Sequence, residues 1–209
     1  MDFIPVDLNV NLYLYEKKFA YFAQELDLVE MDYWNKKAEE RRNKIQEYCW
    51  CEEEGLFIDY DLVNQRPSNT ASLVTFWPMW AEIATEEQAN KIVKQLERFE
   101  YPYGLSACEN YKKDIVYQWD FPNGWAPLQY IAIEGLKKYG YKNESLRIAE
   151  KYVSTVTMNF EKTGQIWEKY NILEGSIQVA NEYEMPAMLG WSASVFVYAF
   201  HLIKGIEKI

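Results

Sequence analysis

The stretch Gln118-Trp119-Asp120-Phe121-Pro122-Asn123-Gly124-Trp125-Ala126-Pro127-Leu128-Gln129-Tyr130 decides how this chain is read. It sets two tryptophans, a carboxylate and a Pro/Asn/Gly turn directly ahead of an apolar helix, with Pro127 in the first helical turn. Indole faces suit the C–H faces of a pyranose, while Asp, Gln and Asn supply the donors and acceptors that hydroxyl groups demand. A lone W-D pair at a turn is ordinary core packing, because Trp is large and usually well buried.

Outward from the string, the hydrophobic period is helical nearly everywhere. Leu8, Leu12, Tyr15, Phe19 and Phe22 recur at steps of three and four, predicting a first helix with an apolar stripe. A second helix, about Asp32 to Trp50, carries Glu39, Glu40, Arg41, Arg42 and Lys44 as a solvated face. A turn near Glu54-Gly55 and a short extended piece precede a third helix over roughly Thr70 to Ala84, bent near Pro78. Thr85-Glu86-Glu87-Gln88 reads as a capping box opening a fourth, with stripe Ala89, Ile92, Val93, Leu96 and Phe99. The helix after the central string stops at Gly140, the next opens at Asn143, and the last runs from about Met188 to Ile206. The result is an all-α chain of near seven helices, joined by loops that hold Trp119, Glu168 and Glu182.

Composition narrows the function classes. The 209 residues fit one domain, and 17% aromatic with 26% charged residues excludes general disorder. A net charge of −10 repels phosphate backbones, so nucleic acid is not an expected partner, and a neutral sugar is indifferent to it. Cys49, Cys51 and Cys108 are an odd count and read as free thiols. Cys-Trp-Cys lacks metal-pair spacing and His201 is the sole histidine, so no metal site is expected and triad chemistry has little to work with. Met1-Asp2-Phe3-Ile4-Pro5 carries no basic-then-apolar leader, which points to the cytoplasm. The uncharged run between Glu184 and Lys204 approaches a bilayer crossing in length. Pro186, Gly190, Ser192, Ser194 and His201 interrupt it, and it is read as an inner helix of a larger helical body.

Q-W-D-x-P-N-G-W-A-P resembles, position for position, a signature of the trehalase family of glycoside hydrolases. The resemblance extends through Pro5-Val6-Asp7-Leu8-Asn9, Asp59-Tyr60-Asp61, Trp167-Glu168-Lys169-Tyr170-Asn171, Glu182-Tyr183 and Gly190-Trp191. It implies that residues 1–209 are the C-terminal portion of a trehalase-like (α/α)6 catalytic domain: part of a toroid, with inner helices lining a core and loops at one end forming a pocket. It also implies inverting hydrolysis of α,α-trehalose to glucose, with no cofactor. Such chemistry needs a proton for the leaving oxygen and a second carboxylate, about 6.5 to 9.5 Å away, to activate water.

Taken alone, Glu-Lys-Tyr is more often a surface helix end than a base, although aromatic walls and an adjacent cation can hold a carboxylate ionised. By resemblance, Glu168 is the general base. Glu182, nine residues before Trp191, binds substrate, Trp119 and Trp125 wall two glucosyl subsites, and Asp120 and Asn123 bond hydroxyls or brace the loop. The base assignment requires Glu168 to face a glucose-sized cavity close to the two indoles.

Two positions depart from the family pattern. A glycine-rich run before E-Y is replaced by Glu174-Gly175-Ser176-Ile177-Gln178-Val179-Ala180-Asn181, and G-W-T-N becomes Gly190-Trp191-Ser192-Ala193. The family's general acid lies in a W-D-x-S-x-R-W element upstream of Pro-Val-Asp-Leu-Asn, so an N-terminal companion segment is the expected source of the acid. A base without its acid forfeits on the order of 10² to 10⁴ in rate. The other readings are a non-catalytic remnant or carbohydrate-binding module, and a related toroid α-glucosidase.

Overall fold

The computed structural model describes residues 2–111, 116–180, 182–188 and 190–206. Among the described residues, seven α-helices account for most of the regular structure: α1 (Val6–Glu25), α2 (Met31–Lys44), α3 (Trp77–Trp80), α4 (Glu86–Lys94), α5 (Ala126–Lys138), α6 (Lys142–Thr163) and α7 (Gly190–Lys204). Strands among the described residues are two or three residues long and serve as antiparallel staples between loops. They pair Phe3–Ile4 with Tyr60–Asp61 and Tyr60–Asp61 with Arg66–Pro67. They also pair Trp50–Cys51 with Leu56–Phe57, Glu100–Tyr101 with Gly104–Leu105, and Asn123–Trp125 with Lys169–Asn171.

The helices form two layers. In one, α1 packs on α3, α3 on α5 and α5 on α7, while α2 backs α1 and α6 backs α5 and α7. This is the arrangement of a partial helical toroid. Its centre is α5, where Ile131, Ala132, Ile133, Glu134, Gly135 and Leu136 are all buried in succession. Burial on every side is what a helix in the middle of a helical layer requires.

Local chemistry explains the boundaries. The capping box at α4 forms as expected: Thr85 Oγ1 accepts from the Gln88 backbone N–H at 3.2 Å, and Gln88 Oε1 accepts from the Thr85 N–H at 2.9 Å. Gly164, at φ 70°, closes α6 in the left-handed conformation that costs glycine little. The expected third helix over Thr70 to Ala84 is shorter: a 3-10 turn at Leu73–Phe76 leads into α3, because Ser72 is extended and bridged to Cys108. The second helix ends at Lys44 and passes through a π turn at Ile45–Cys49 into the extended Trp50.

The first helix holds the main surprise. An apolar stripe ordinarily faces the core, yet Leu8, Tyr15, Phe19 and Phe22 are exposed while Val6, Val10, Ala20 and Ala23 are buried. Small side chains let α1 lie close against α2, and the buried Glu16 is held by the Arg41 guanidinium at 2.7 Å. The larger residues form a second apolar face. At the other end of the same layer α7 also has two faces, with Val195 and Ala199 buried and Trp191, Val197 and Phe200 exposed. No helix among the described residues is long and apolar enough to cross a membrane, and the uncharged run after Glu184 contains the 15-residue α7.

Candidate active site

The ladder between Asn123–Trp125 and Lys169–Asn171 joins the two segments singled out in the sequence, setting Asn123 opposite Asn171, Gly124 opposite Tyr170 and Trp125 opposite Lys169. Glycine is needed at its centre. A Cβ on Gly124 would lie 2.4 Å from Ile172 Cγ2 and 2.9 Å from the Leu105 carbonyl oxygen, inside any permitted contact.

Trp125 is 1% exposed, and its indole N–H donates to the Gln118 carbonyl at 2.9 Å. Trp119 stacks on it with ring centroids 3.8 Å apart and planes 6° from parallel, and the Trp191 ring meets it edge-on at 6.1 Å. The Lys169 ammonium lies 4.6 Å from the Trp125 ring centre and 4.9 Å from that of Tyr183. Trp119, 44% exposed, therefore carries an open indole face outside the stack. A sugar reaches a face of Trp125 only if its neighbours move.

Glu168 sits beside this row, 4% exposed. Its Oε2 accepts from Lys169 Nζ at 2.9 Å, and both of its oxygens lie 2.7 Å from the Tyr183 hydroxyl that donates to them. The carboxylate thus points inward and is tied through Lys169 to Trp125. The lysine and the tyrosine both stand against it. Lys169 is itself fully buried, so the ion pair is taken out of water as a unit. Tyr170 lies behind it, its hydroxyl accepting from the Trp167 N–H at 2.9 Å, and burial pushes that phenol up to about 12. Burial, the hydrogen bond to Glu168 and the charges of Glu168 and Glu182 push Tyr183 up to about 12 as well, so it stays a donor at neutral pH.

The remaining sequence candidates take distinct places. Asn123 is fully buried and braces two loops: its amide donates to Gln118 O and Ala180 O, both at 2.9 Å, and its carbonyl accepts from Ala180 N at 3.3 Å. Asp120 accepts from the Tyr117 N–H at 2.8 Å and from the Cys108 thiol at 3.9 Å, pinning the turn under Trp119. Glu182 is exposed beside Tyr183, on the segment that follows Ala180. Gln118 Oε1 is buried without a hydrogen-bond partner among the described residues. Tyr183 is the residue that sequence reasoning left without a role, and its place next to Glu182 in the E-Y pair was the available signal.

The layered helical arc, with acids and indoles on the loops that join its helices, defines the class: a partial (α/α)6 toroid of the kind found in glycoside hydrolases. The trehalase family model matches residues 1–204. The cytosolic neutral trehalase of Saccharomyces cerevisiae is 35% identical over 190 residues, which is 82% of this chain and 25% of that protein. The periplasmic trehalase of Citrobacter koseri is 30% identical over 208 residues, 98% of this chain and 36% of that one. Among solved structures, neutral trehalase Nth1 from Saccharomyces cerevisiae superposes with a TM-score of 0.82 at 32% identity, covering 96% of this chain and 38% of that chain. A GH63 mannosylglycerate hydrolase from Thermus thermophilus shares the fold at a TM-score of 0.72 and 19% identity, covering 97% of this chain and 48% of that chain. The chain belongs to the trehalase family, and it spans about a quarter of the length of the yeast relatives it matches.

Proposed function

We propose that residues 1–209 form the C-terminal, base-bearing portion of a trehalase-type catalytic domain that hydrolyses α,α-trehalose to glucose with inversion. Glu168 removes a proton from water as that water attacks the anomeric carbon, and an acid from an N-terminal companion segment protonates the bridging oxygen. The observation that carries this reading is the buried Glu168 carboxylate, held by Lys169 beside a stacked indole pair on a family-matched loop. Trp119 offers its exposed face to one glucosyl ring, and Trp125 supports it from beneath. Glu182 orients sugar or water once its segment folds over the ligand. Asp120 and Asn123 hold the turn that aims Trp119, and Gln118 Oε1 is a buried acceptor within the same turn. The exposed apolar faces of α1 and α7 are where neighbouring helices of a completed toroid would pack. The proposed compartment is the cytoplasm, in keeping with three free cysteines and with the cytosolic yeast relative, although a periplasmic trehalase also matches.

The test combines this chain with an upstream segment carrying W-D-x-S-x-R-W and measures glucose released from trehalose. Release that Glu168→Gln reduces on the order of a thousandfold supports the assignment. Sugar binding without turnover, even with the upstream segment present, would establish a binding module instead. Preference for maltose-type substrates would point to a related α-glucosidase.

A further inference from the structure

A base that activates water must be held to within about 0.5 Å of its working place, and it is held no better than its own main chain. Pairing with Asn123–Trp125 begins only at Lys169, one residue after the carboxylate. Two buried hydroxyls bracket the pair Trp167–Glu168 that precedes it. On the N-terminal side the Trp167 N–H donates to the Tyr170 hydroxyl at 2.9 Å, so the tyrosine hooks back three residues around the turn. On the C-terminal side the Glu168 carbonyl accepts from the Ser192 hydroxyl, in the first turn of α7, at 3.4 Å. Ser192 is itself fixed from α6, where the buried Tyr152 donates its hydroxyl to the Ser192 carbonyl at 3.2 Å. These groups hold the main chain, while Lys169 and Tyr183 hold the carboxylate. The departure of Gly190-Trp191-Ser192-Ala193 from G-W-T-N gains a meaning here: of the two polar side chains in that pattern, the hydroxyl that is kept is the one that reaches Glu168.

We propose that Tyr170 and Ser192 are positioning residues for the reaction, a two-sided clamp that fixes the main chain at Glu168 and so sets where its carboxylate stands. This rests on Glu168 being the base. Tyr170 ties the turn to the Lys169–Asn171 strand, and Ser192 ties it to α7, so the base is aligned to a helix of the toroid and not to its own loop alone. Loss of either hydroxyl leaves the side-chain partners in place and lets the backbone under the carboxylate shift. A shift on the scale of about 1 Å costs up to about 10² in rate.

Tyr170→Phe, Ser192→Ala and Ser192→Thr are made in the full chain, the upstream segment is supplied, and glucose release by folded protein is followed across trehalose concentrations. Tyr170→Phe and Ser192→Ala should each lower kcat on the order of tenfold with KM unchanged. Ser192→Thr keeps the hydroxyl and should keep the parent kcat. In a Glu168→Gln background the same two substitutions should leave the residual rate alone, because they act through that carboxylate. An unchanged kcat in both, an equal loss in the Thr and Ala variants, or the full loss repeated on top of Glu168→Gln overturns the proposal. Parent-like turnover by Glu168→Gln would instead overturn the base reading beneath it. A second measurement needs no turnover. In chains carrying 13C at the glutamate δ carbons, the Glu168 resonance is identified by its loss in Glu168→Gln. It should broaden about twofold in Tyr170→Phe and in Ser192→Ala, as the carboxylate samples more than one position, and stay narrow in Ser192→Thr. The resonances of Glu100 and Glu134 should hold throughout. A Glu168 line as narrow in both variants as in the parent, or three lines that broaden together, would show that no clamp acts on the base.

Discussion

Replacing Lys169 with methionine leaves a carboxylate buried with half of its support. Met nearly matches the apolar length of Lys, so packing under Trp125 and Tyr183 is kept while the charge is lost. What goes is the 2.9 Å ion pair to Glu168 and the two ring contacts at 4.6 and 4.9 Å. Removing one partner of a buried pair costs about 3–5 kcal/mol, because the desolvated charge left behind is uncompensated. Tyr183 supplies dipoles and no charge, so it recovers a minor part. With a urea slope of roughly 2 kcal/mol per molar, the unfolding midpoint should drop by roughly 1.5–2.5 M. The double variant Glu168→Gln/Lys169→Met removes both charges and should cost less than either single change, giving a coupling larger than the Lys169→Met cost of about 3–5 kcal/mol. Urea unfolding of the four proteins by tryptophan fluorescence and far-UV dichroism makes the measurement. A Lys169→Met cost below about 1 kcal/mol, or singles that simply add, would refute the view that this pair is buried and mutually dependent. It follows that Glu168→Gln alone strands a buried ammonium, so its loss of glucose release is to be scored only on protein shown to be folded.

Gly124→Ala should destabilise the chain by about 2–4 kcal/mol and also shift tryptophan emission, since a methyl 2.4 Å from Ile172 Cγ2 must push apart the ladder that seats Trp125; a folded, spectrally unchanged Ala variant would contradict this. Glu100 accepts from Arg147 twice and from Lys151, each bond at 2.8 Å; burial alone would raise its carboxyl, but these bonds outweigh it and hold it below the ordinary range. A lowered folded value stabilises above the unfolded value of about 4.3 and fades as pH falls through the folded one. Glu100→Gln should therefore cost about 1–2 kcal/mol at pH 7, trimmed by solvent at the half-exposed Arg147, and progressively less as the pH falls below the unfolded value; a cost independent of pH would be the contrary result.

The helices were legible because their signals are local. Thr85 and Gln88 cap α4 within three residues of each other, Pro127 opens α5, and Gly140 follows its last turn, so no distant partner is needed to read them. The α1 stripe misled for a physical reason: period shows that one face is apolar but not which of two apolar faces the rest of the chain covers. Leu8, Tyr15, Phe19 and Phe22 carry more apolar side-chain area than Val6, Val10, Ala20 and Ala23, yet the small residues are the ones buried where α1 packs on α2 and α3. Glu168 was legible as a motif residue, and its inward direction was an expectation the geometry bears on. The bond from Tyr183 was not legible, since it spans fifteen residues and depends on how a segment without regular structure returns to the ladder. The stacking of Trp119 on Trp125 was likewise hidden, because five residues separate two indoles whose spacing in sequence suggested two independent walls.

That stack has an optical consequence. Two parallel indoles in van der Waals contact share their excited states, so the pair should give a split dichroic signal in the far ultraviolet that neither ring gives alone. Any molecule that slides between them, or lifts the outer ring away, breaks the exchange of excitation and erases the signal. The chain thus carries its own unlabelled gauge of occupancy, readable in plain buffer while candidate sugars are titrated in.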